Sequence, residues 1–183
     1  VDIQAKDIMF NASKLSLHSN FEHRIVATGT LSLTKHSQIE IKDSDTVDQP
    51  VVRGITIQAG TLEMDNTTYL RSASGTRFAA ADWRIEAGKL QLNGARIFSE
   101  SLASGQAGDI NLAVAELVLA NGAKVQSIMR DAGSAGSVTA EADSIRLANG
   151  STIGSGVPLP STGYNPDKHQ PGAYGDAGDV SLK

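Results

Sequence analysis

The chain has 183 residues, a hydrophobic content of 40% and no cysteine, so it can bury one sizeable core but cannot rely on disulfide bonds. Its net charge is −4, and the basic residues form no run along the sequence. Composition therefore gives no indication of a nucleic-acid-binding protein, and no apolar run is long enough to span a membrane. Aromatic residues make up only 4% of a chain with 18 glycines, which favours stacked aliphatic layers over a globular enzyme core.

An internal repeat is the dominant feature of the sequence. The segment INLAVAELVLANGAKVQS, which starts at residue 110, aligns without a gap with VTAEADSIRLANGSTIGS, which starts at residue 138. In chain order, the same apolar template predicts coils that start near residues 1, 24, 55, 83, 110, 138 and 180. Insertions fall in the later part of each unit, which is typical of a solenoid with one tolerant loop.

Each unit contains pairs of apolar residues two positions apart, such as Leu117 and Leu119, and this is the period of a strand with one buried face. Three such strands predict one coil, whose strands pair in parallel with those of the next coil, about 4.8 Å away. The first predicted inward column contains Ile3, Val26, Ile57, Ile85, Leu112 and Ala140, and the second contains Ile8, Leu31, Leu62, Leu90, Leu117 and Ile145. Trp83 opens its coil, and we expect a core aromatic or a lid over a corner rather than a sugar platform.

Turn residues recur at fixed places in the repeat. Asn-Gly pairs at 93–94, 121–122 and 149–150 follow the second strand, where a tight corner requires a left-handed backbone. Because parallel crossovers favour right-handed connections, the sequence predicts an all-β fold, a right-handed single-stranded parallel β-helix of about six three-strand coils plus the start of a seventh. An all-β sandwich is the alternative, but it does not explain a repeat that keeps its register through insertions.

The strings GQAGDINLAVAELVLANGAKVQS and GSAGSVTAEADSIRLANGSTIGSG resemble repeats of the large exoproteins related to filamentous haemagglutinin. Those exoproteins are the secreted partners of two-partner secretion systems in Gram-negative bacteria and cyanobacteria. The resemblance implies a β-helical shaft that is exported through an outer-membrane transporter and is secreted or held at the cell surface. It also implies a role in adhesion, aggregation, haemolysis or contact-dependent inhibition. The resemblance covers the C-terminal half and weakens toward residue 1.

Both ends of the chain fall inside the repeat, so we expect residues 1–183 to be a single β-helix segment of a longer protein. The motifs of the family's secretion domain are not found here. The resemblance therefore implies shaft, with the transporter engaged through a region outside these residues.

Two groups of acids are candidates for the carbohydrate chemistry that some parallel β-helix enzymes perform. The first group is Asp43, Asp45 and Asp48, and the second is Asp109, Asp176 and Asp179. Aspartate beside glycine is ordinary turn chemistry, and the outward strand positions indicate no convergent group of acids and arginines, so we do not expect catalysis. The histidines, His18, His23, His36 and His169, are expected in loops or outward positions without a metal-binding spacing, so no metal or other cofactor is predicted.

A long insertion at residues 156–178 interrupts the repeat and contains four of the five prolines. Loops on rigid scaffolds often carry recognition, and this loop has no apolar stripe of its own. Its candidate contact residues are Tyr164, Lys168, His169 and Tyr174. We expect them to contact a receptor or glycan on a host or neighbouring cell, and an insertion without a partner is the alternative.

The sequence as a whole predicts a non-catalytic shaft or adhesin segment of a secreted bacterial surface exoprotein. A carbohydrate-active β-helix enzyme of the lyase or hydrolase type is one alternative. A haem-binding or host-protein-binding exoprotein is the other.

Overall fold

The computed structural model describes residues 1–42, 54–130, 133–156 and 177–183. These ranges contain strands and no helix. The strands are β1 (Asp2–Ala5), β2 (Ile8–Asn11), β3 (Lys14–His18), β4 (His23–Thr34), β5 (Gln38–Lys42), β6 (Ile55–Met64), β7 (Tyr69–Ser74), β8 (Trp83–Asn93), β9 (Arg96–Ser101), β10 (Ile110–Ala120), β11 (Lys124–Met129), β12 (Val138–Leu147), β13 (Thr152–Gly156) and β14 (Val180–Leu182).

Two parallel sheets run the length of the solenoid. The long-strand sheet contains β1, β2, β4, β6, β8, β10, β12 and β14, and the short-strand sheet contains β3, β5, β7, β9, β11 and β13. The chain passes from one sheet to the other, so each strand pairs in parallel with its equivalents in the neighbouring coils. About five turns stack in this way. The predicted all-β fold, a parallel β-helix, is confirmed.

Among the described residues, the first and second predicted strands of a coil form one continuous strand from the second coil onward, so two strands are present where the sequence predicted three. The first and second predicted strands are continuous in β4, β6, β8, β10 and β12, and they are separate only as β1 and β2. The bend between them falls at small residues such as Gly60 and Gly88, where an added Cβ would lie 2.8 Å from a carbonyl oxygen of the coil below. The register omits Gly60 and Gly88 and resumes with the pair of Thr61 and Lys89, so the strands remain in step on both sides of the bend.

The second inward column is confirmed in full. Neighbouring strands pair Ile8 with Leu31, Leu31 with Leu62, Leu62 with Leu90, Leu90 with Leu117, and Leu117 with Ile145. The four leucines of this column are completely buried. Burial of each such side chain stabilises the fold by about 1.5–3 kcal/mol, and this column therefore forms a continuous core along the shaft.

The first inward column differs from the prediction in one coil. Ile25, not Val26, pairs with Ile57, and the same strand places His23 opposite Ile55. His23 is only 3% exposed, so its expected loop or outward position is wrong. A register shift between Ala27 and Thr30 absorbs the extra residue before Leu31. Strands accept such a bulge readily, and alternation alone could not locate it.

Trp83 lies two residues before Ile85 of the first inward column, is fully buried and pairs with Ile55. It is therefore the core aromatic that the sequence indicated. On its other side Trp83 pairs with Ile110, so Ile55, Trp83 and Ile110 form a further buried column.

The Asn-Gly corners have the left-handed backbone that was predicted. Gly94, Gly122 and Gly150 have φ values of 68°, 75° and 74°. The side chains of the preceding asparagines form a ladder up the corner, since the Nδ2 of Asn121 donates to Oδ1 of Asn93 at 2.6 Å. The Nδ2 of Asn149 donates to Oδ1 of Asn121 at 3.0 Å in the same way.

A column of serines on the short-strand sheet forms hydrogen bonds with the glycine-rich corner, and three of its four members are completely buried. Its members stack in register and are Ser72, Ser99, Ser127 and Ser155. The amide of Gly108 donates to Oγ of Ser99 at 2.7 Å, and the amide of Gly136 donates to Oγ of Ser127 at 2.8 Å. The chain thus satisfies backbone groups that a purely aliphatic interior would leave unpaired.

Candidate functional site

The outward face of the short-strand sheet is basic, although the whole chain is acidic. Among the described residues, this face carries six cationic side chains and two carboxylates, an excess of four positive charges. The cationic residues are Lys14, Lys42, Arg71, Arg96, Lys124 and Arg130, and the acids are Glu40 and Glu100. We call this surface the basic face.

Strand register brings these residues together from distant parts of the sequence. Tyr69 pairs with Arg96, and Arg96 pairs with Lys124, so the three form one outward column. The next outward column contains Arg71 beside Phe98. Neighbouring strands lie about 4.8 Å apart, which places these side chains within reach of one ligand.

Glu40 is the centre of one charge cluster on the basic face. Its carboxylate lies 2.6 Å from Nζ of Lys14 and accepts a hydrogen bond from the hydroxyl of Tyr69 at 3.1 Å. Burial works to raise the pKa of Glu40, but Lys14, the Tyr69 hydrogen bond and the charge of Lys42 outweigh it, so the pKa is lowered. Burial and the Glu40 carboxylate together raise the pKa of Tyr69. Glu40 therefore stays ionised and Tyr69 stays protonated near neutral pH.

Glu100 is the centre of a second charge cluster. It is only 3% exposed and binds two guanidinium groups. Nε of Arg71 donates to Oε1 of Glu100 at 2.6 Å, and Nε of Arg130 donates to Oε2 at 2.6 Å. Both carboxylate oxygens accept hydrogen bonds from arginine, so Glu100 has a structural role.

A surface groove of about 510 Å³ lies on the basic face. Tyr69, Arg71, Arg96, Phe98 and Arg130 contribute to its walls. The rings of Tyr69 and Phe98 have centroids 5.8 Å apart, and the guanidinium of Arg71 lies 6.0 Å from the centroid of Phe98. The groove therefore offers aromatic surface and positive charge side by side.

Arg96 and Lys124 differ from the other cations of the basic face. Arg96 is exposed and Lys124 is half-buried, and no carboxylate of the described residues forms an ion pair with either. Their charges are therefore not neutralised by the neighbouring acids.

The basic face corrects two expectations from the sequence. A convergent group of acids and arginines does exist on outward strand positions, and the dispersed basic residues do form a cationic surface. The members lie one coil apart along the chain, so no local run indicates them. Alignment of the outward positions of successive coils is the signal that could have found them, because Lys124 and its equivalents share one offset in each repeat.

Asp82 and Asp109 stack on neighbouring coils and are the pair of acids closest to an enzyme-like arrangement. Asp82 lines a second groove of about 370 Å³ together with Glu22 and Arg84. Burial of the carboxyl by packed atoms raises the pKa of Asp82, although much of the residue is exposed. The hydrogen bond from the Asp109 amide works to lower this pKa, and the negative charge of Asp109 works to raise it. Both carboxylates already accept backbone hydrogen bonds, from the amides of Asp109 at 2.8 Å and Ser137 at 2.7 Å.

These bonds give the two aspartates a structural role at the corner, as ordinary turn chemistry predicts. Asp179, the other described member of that candidate group, is exposed.

The other described histidines are surface residues. His18 is exposed at the end of β3, and His36 is exposed with a φ of 65°. Within the described ranges, no three His, Asp or Glu side chains are grouped so that they could hold a metal ion.

The remaining sequence candidates lie outside the described residues. They are the contact residues Tyr164, Lys168, His169 and Tyr174, and the acids Asp43, Asp45, Asp48 and Asp176. The insertion at 156–178 is described only at its two ends. The binding role expected for this loop therefore remains a prediction.

No protein-family model matches the chain, and neither a curated protein nor a solved structure matches it. In the part of the chain that the structure describes, no helix is long and apolar enough to cross a membrane.

Proposed function

We propose that this chain is a non-catalytic shaft segment of a secreted bacterial surface adhesin, similar in kind to the filamentous haemagglutinins. Its task is to hold binding surfaces at a distance from the cell and to contribute one such surface itself. The partner is a receptor or glycan on a host or neighbouring cell. Export through an outer-membrane transporter, by a region outside these residues, belongs to the same proposal.

The uninterrupted leucine column carries this proposal. Ile8 and Ile145 lie at the two ends of a column whose inner members are completely buried. Each coil repeats the same apolar cross-section and adds about 4.8 Å of length, and this packed interior supports the proposal of a rod-shaped segment.

The use of the acids supports the non-catalytic part of the proposal. Glu100 binds two arginines, and Asp82 and Asp109 accept backbone hydrogen bonds from the next coil. A general acid or base needs a carboxyl that can reach substrate. In the described residues, these carboxylates are instead committed to holding coils together.

Adhesion under flow tests the proposal. Beads coated with the folded chain should be retained on bacterial or host-cell layers, and beads coated with heat-unfolded chain should not be retained. A variant in which residues 157–174 are replaced by a short glycine-containing turn then separates the insertion from the basic face. Retention of both folded versions would place recognition on the shaft, and retention of neither would contradict the adhesin proposal.

A carbohydrate-active enzyme is the second candidate, and the stacking of Asp82 on Asp109 favours it. The raised pKa of Asp82 would suit a general acid. Measurement of polysaccharide cleavage by the unmodified chain and by Asp82→Asn distinguishes this candidate from the adhesin.

A further inference from the structure

We infer that the groove on the basic face binds an acidic polysaccharide through carboxylate-bearing sugars. The inference rests on the proposed adhesive function and names the ligand class that one surface of the shaft takes. Arg96, which lines the groove, and Lys124, which pairs with Arg96 on the next strand, would bind the carboxylates. Tyr69 and Phe98 would contact the sugar rings.

Two cations of the basic face, Arg96 and Lys124, have charges that the described acids do not neutralise. Glu100 accepts hydrogen bonds from Arg71 and Arg130, and Glu40 forms an ion pair with Lys14. Arg96 and Lys124 are adjacent in register and have no carboxylate partner among the described residues. Two like charges on neighbouring strands repel each other, so an anion that bridges them gains from both.

Two aromatic rings, Tyr69 and Phe98, lie beside these charges. Phe98 follows Arg96 by two positions on β9, so its side chain is on the same face of the sheet. Tyr69 lies next to Arg96 in register, and both rings are partly exposed in the groove. Flat apolar rings beside cations match a sugar that has a C–H face and a carboxylate edge.

The charges of Arg96 and Lys124 are arranged along the shaft, one strand apart. Arg96 and Lys124 follow each other along the stacking axis at the strand spacing of about 4.8 Å, and the positions on either side of them in the same column are Tyr69 and Thr152. A polymer with one carboxylate on each sugar can therefore place one carboxylate at Arg96 and the next at Lys124, whereas a compact monoanion would have to share one carboxylate between them. Two linked contacts of this kind favour a polysaccharide over a single small anion.

Four polymers test the inference by biolayer interferometry on the full chain: alginate oligosaccharides, neutral cello-oligosaccharides, polyglutamate of matched charge, and single-stranded DNA. Alginate should bind more tightly than the other three, and its affinity should fall as salt is raised. The double variant Arg96→Gln/Lys124→Gln should weaken alginate binding by roughly tenfold or more.

The matched control is Lys6→Gln/Arg146→Gln, which removes the same charge from exposed positions away from the basic face. It should change alginate affinity by no more than about twofold. Phe98→Leu should reduce the preference for alginate over polyglutamate, because it removes the ring and keeps the charges. Circular dichroism melting curves confirm that each variant is folded.

Equal affinity for alginate and polyglutamate, or tighter binding of DNA, would overturn the inference. Equal losses in the two double variants would also overturn it. Bead adhesion that persists without alginate binding would refute this ligand and leave the adhesin proposal standing. Time-dependent cleavage of alginate would refute the adhesin proposal itself.

Discussion

The amide of Gly136 donates to Oγ of Ser127 across the interior of the coil, at 2.8 Å. The same hydroxyl donates to the carbonyl oxygen of Gly108 at 3.0 Å, so one buried serine joins two neighbouring coils. The glycine-rich corner depends on this link because its backbone groups have no access to water.

Ser127→Ala should therefore destabilise the chain by about 1–3 kcal/mol, since it leaves a buried donor and a buried acceptor unpaired. The expected result is a melting temperature several degrees lower, measured by circular dichroism. Ser144→Ala is the control, because Ser144 is exposed on β12. Equal melting temperatures for the two variants would show that the serine column is not stabilising.

Gly108→Ala should destabilise the fold by about 1–3 kcal/mol or more. A Cβ at this position would collide with the carbonyl oxygen of Ala81 and lie 2.7 Å from that of Ala80. Gly75→Ala should be close to neutral, because nothing lies within 4 Å of the added Cβ and φ is not in the left-handed region. Urea unfolding of both variants tests this difference, and a tolerated Gly108→Ala would contradict the close stacking at the corner.

His23 should make the first coils sensitive to acid. Burial lowers the pKa of His23, and Nε2 lies 2.8 Å from the carbonyl oxygen of His18. Its pKa is lower when folded than when unfolded, so the unfolded chain binds the proton first as pH falls below about 6.5. Stability is then fully present above that pH and decreases below it.

The variant His23→Leu tests this effect, because it lacks the titrating group. Melting temperatures of wild type and variant are compared at pH 7.5 and pH 5.5. Wild type should lose more stability than His23→Leu over this interval, and parallel losses would contradict a buried neutral His23.

Glu100→Gln should destabilise the chain by about 1–3 kcal/mol, because Arg71 and Arg130 lose their shared carboxylate. Glu141→Gln is the control, since the pair of Glu141 with Lys183 is exposed on both sides and should contribute less than about 1 kcal/mol. Chemical unfolding of the two variants provides the comparison. A larger effect for Glu141→Gln would mean that the cluster at Glu100 is not a structural centre.

The repeat made most of the fold predictable, because inward apolar positions recur with strand periodicity from Ile8 to Ile145. The one-residue difference in register at Ile25 was not predictable. His23 with Ile25 and Arg24 with Val26 both fit the alternation of a strand, and no sequence pattern indicated the bulge after Ala27. Turn chemistry at the Asn-Gly corners was predictable because few residues adopt a left-handed backbone.

The basic face was not predictable by inspection of local sequence. Arg96 and Lys124 are separated by a whole coil, and insertions of different length change the spacing between other members. Outward positions also tolerate many residue types, so they show no period of their own. Only the register of the stacked strands brings the charges and the two aromatic rings together.

The most direct test of the non-catalytic adhesin is to incubate the folded chain with a panel of polysaccharides and follow binding and cleavage in the same samples. We expect binding that saturates, together with no time-dependent fall in viscosity and no release of reducing ends. Release that increases with time and protein concentration, and is lost in Asp82→Asn, would contradict the account and identify the chain as a carbohydrate-active enzyme.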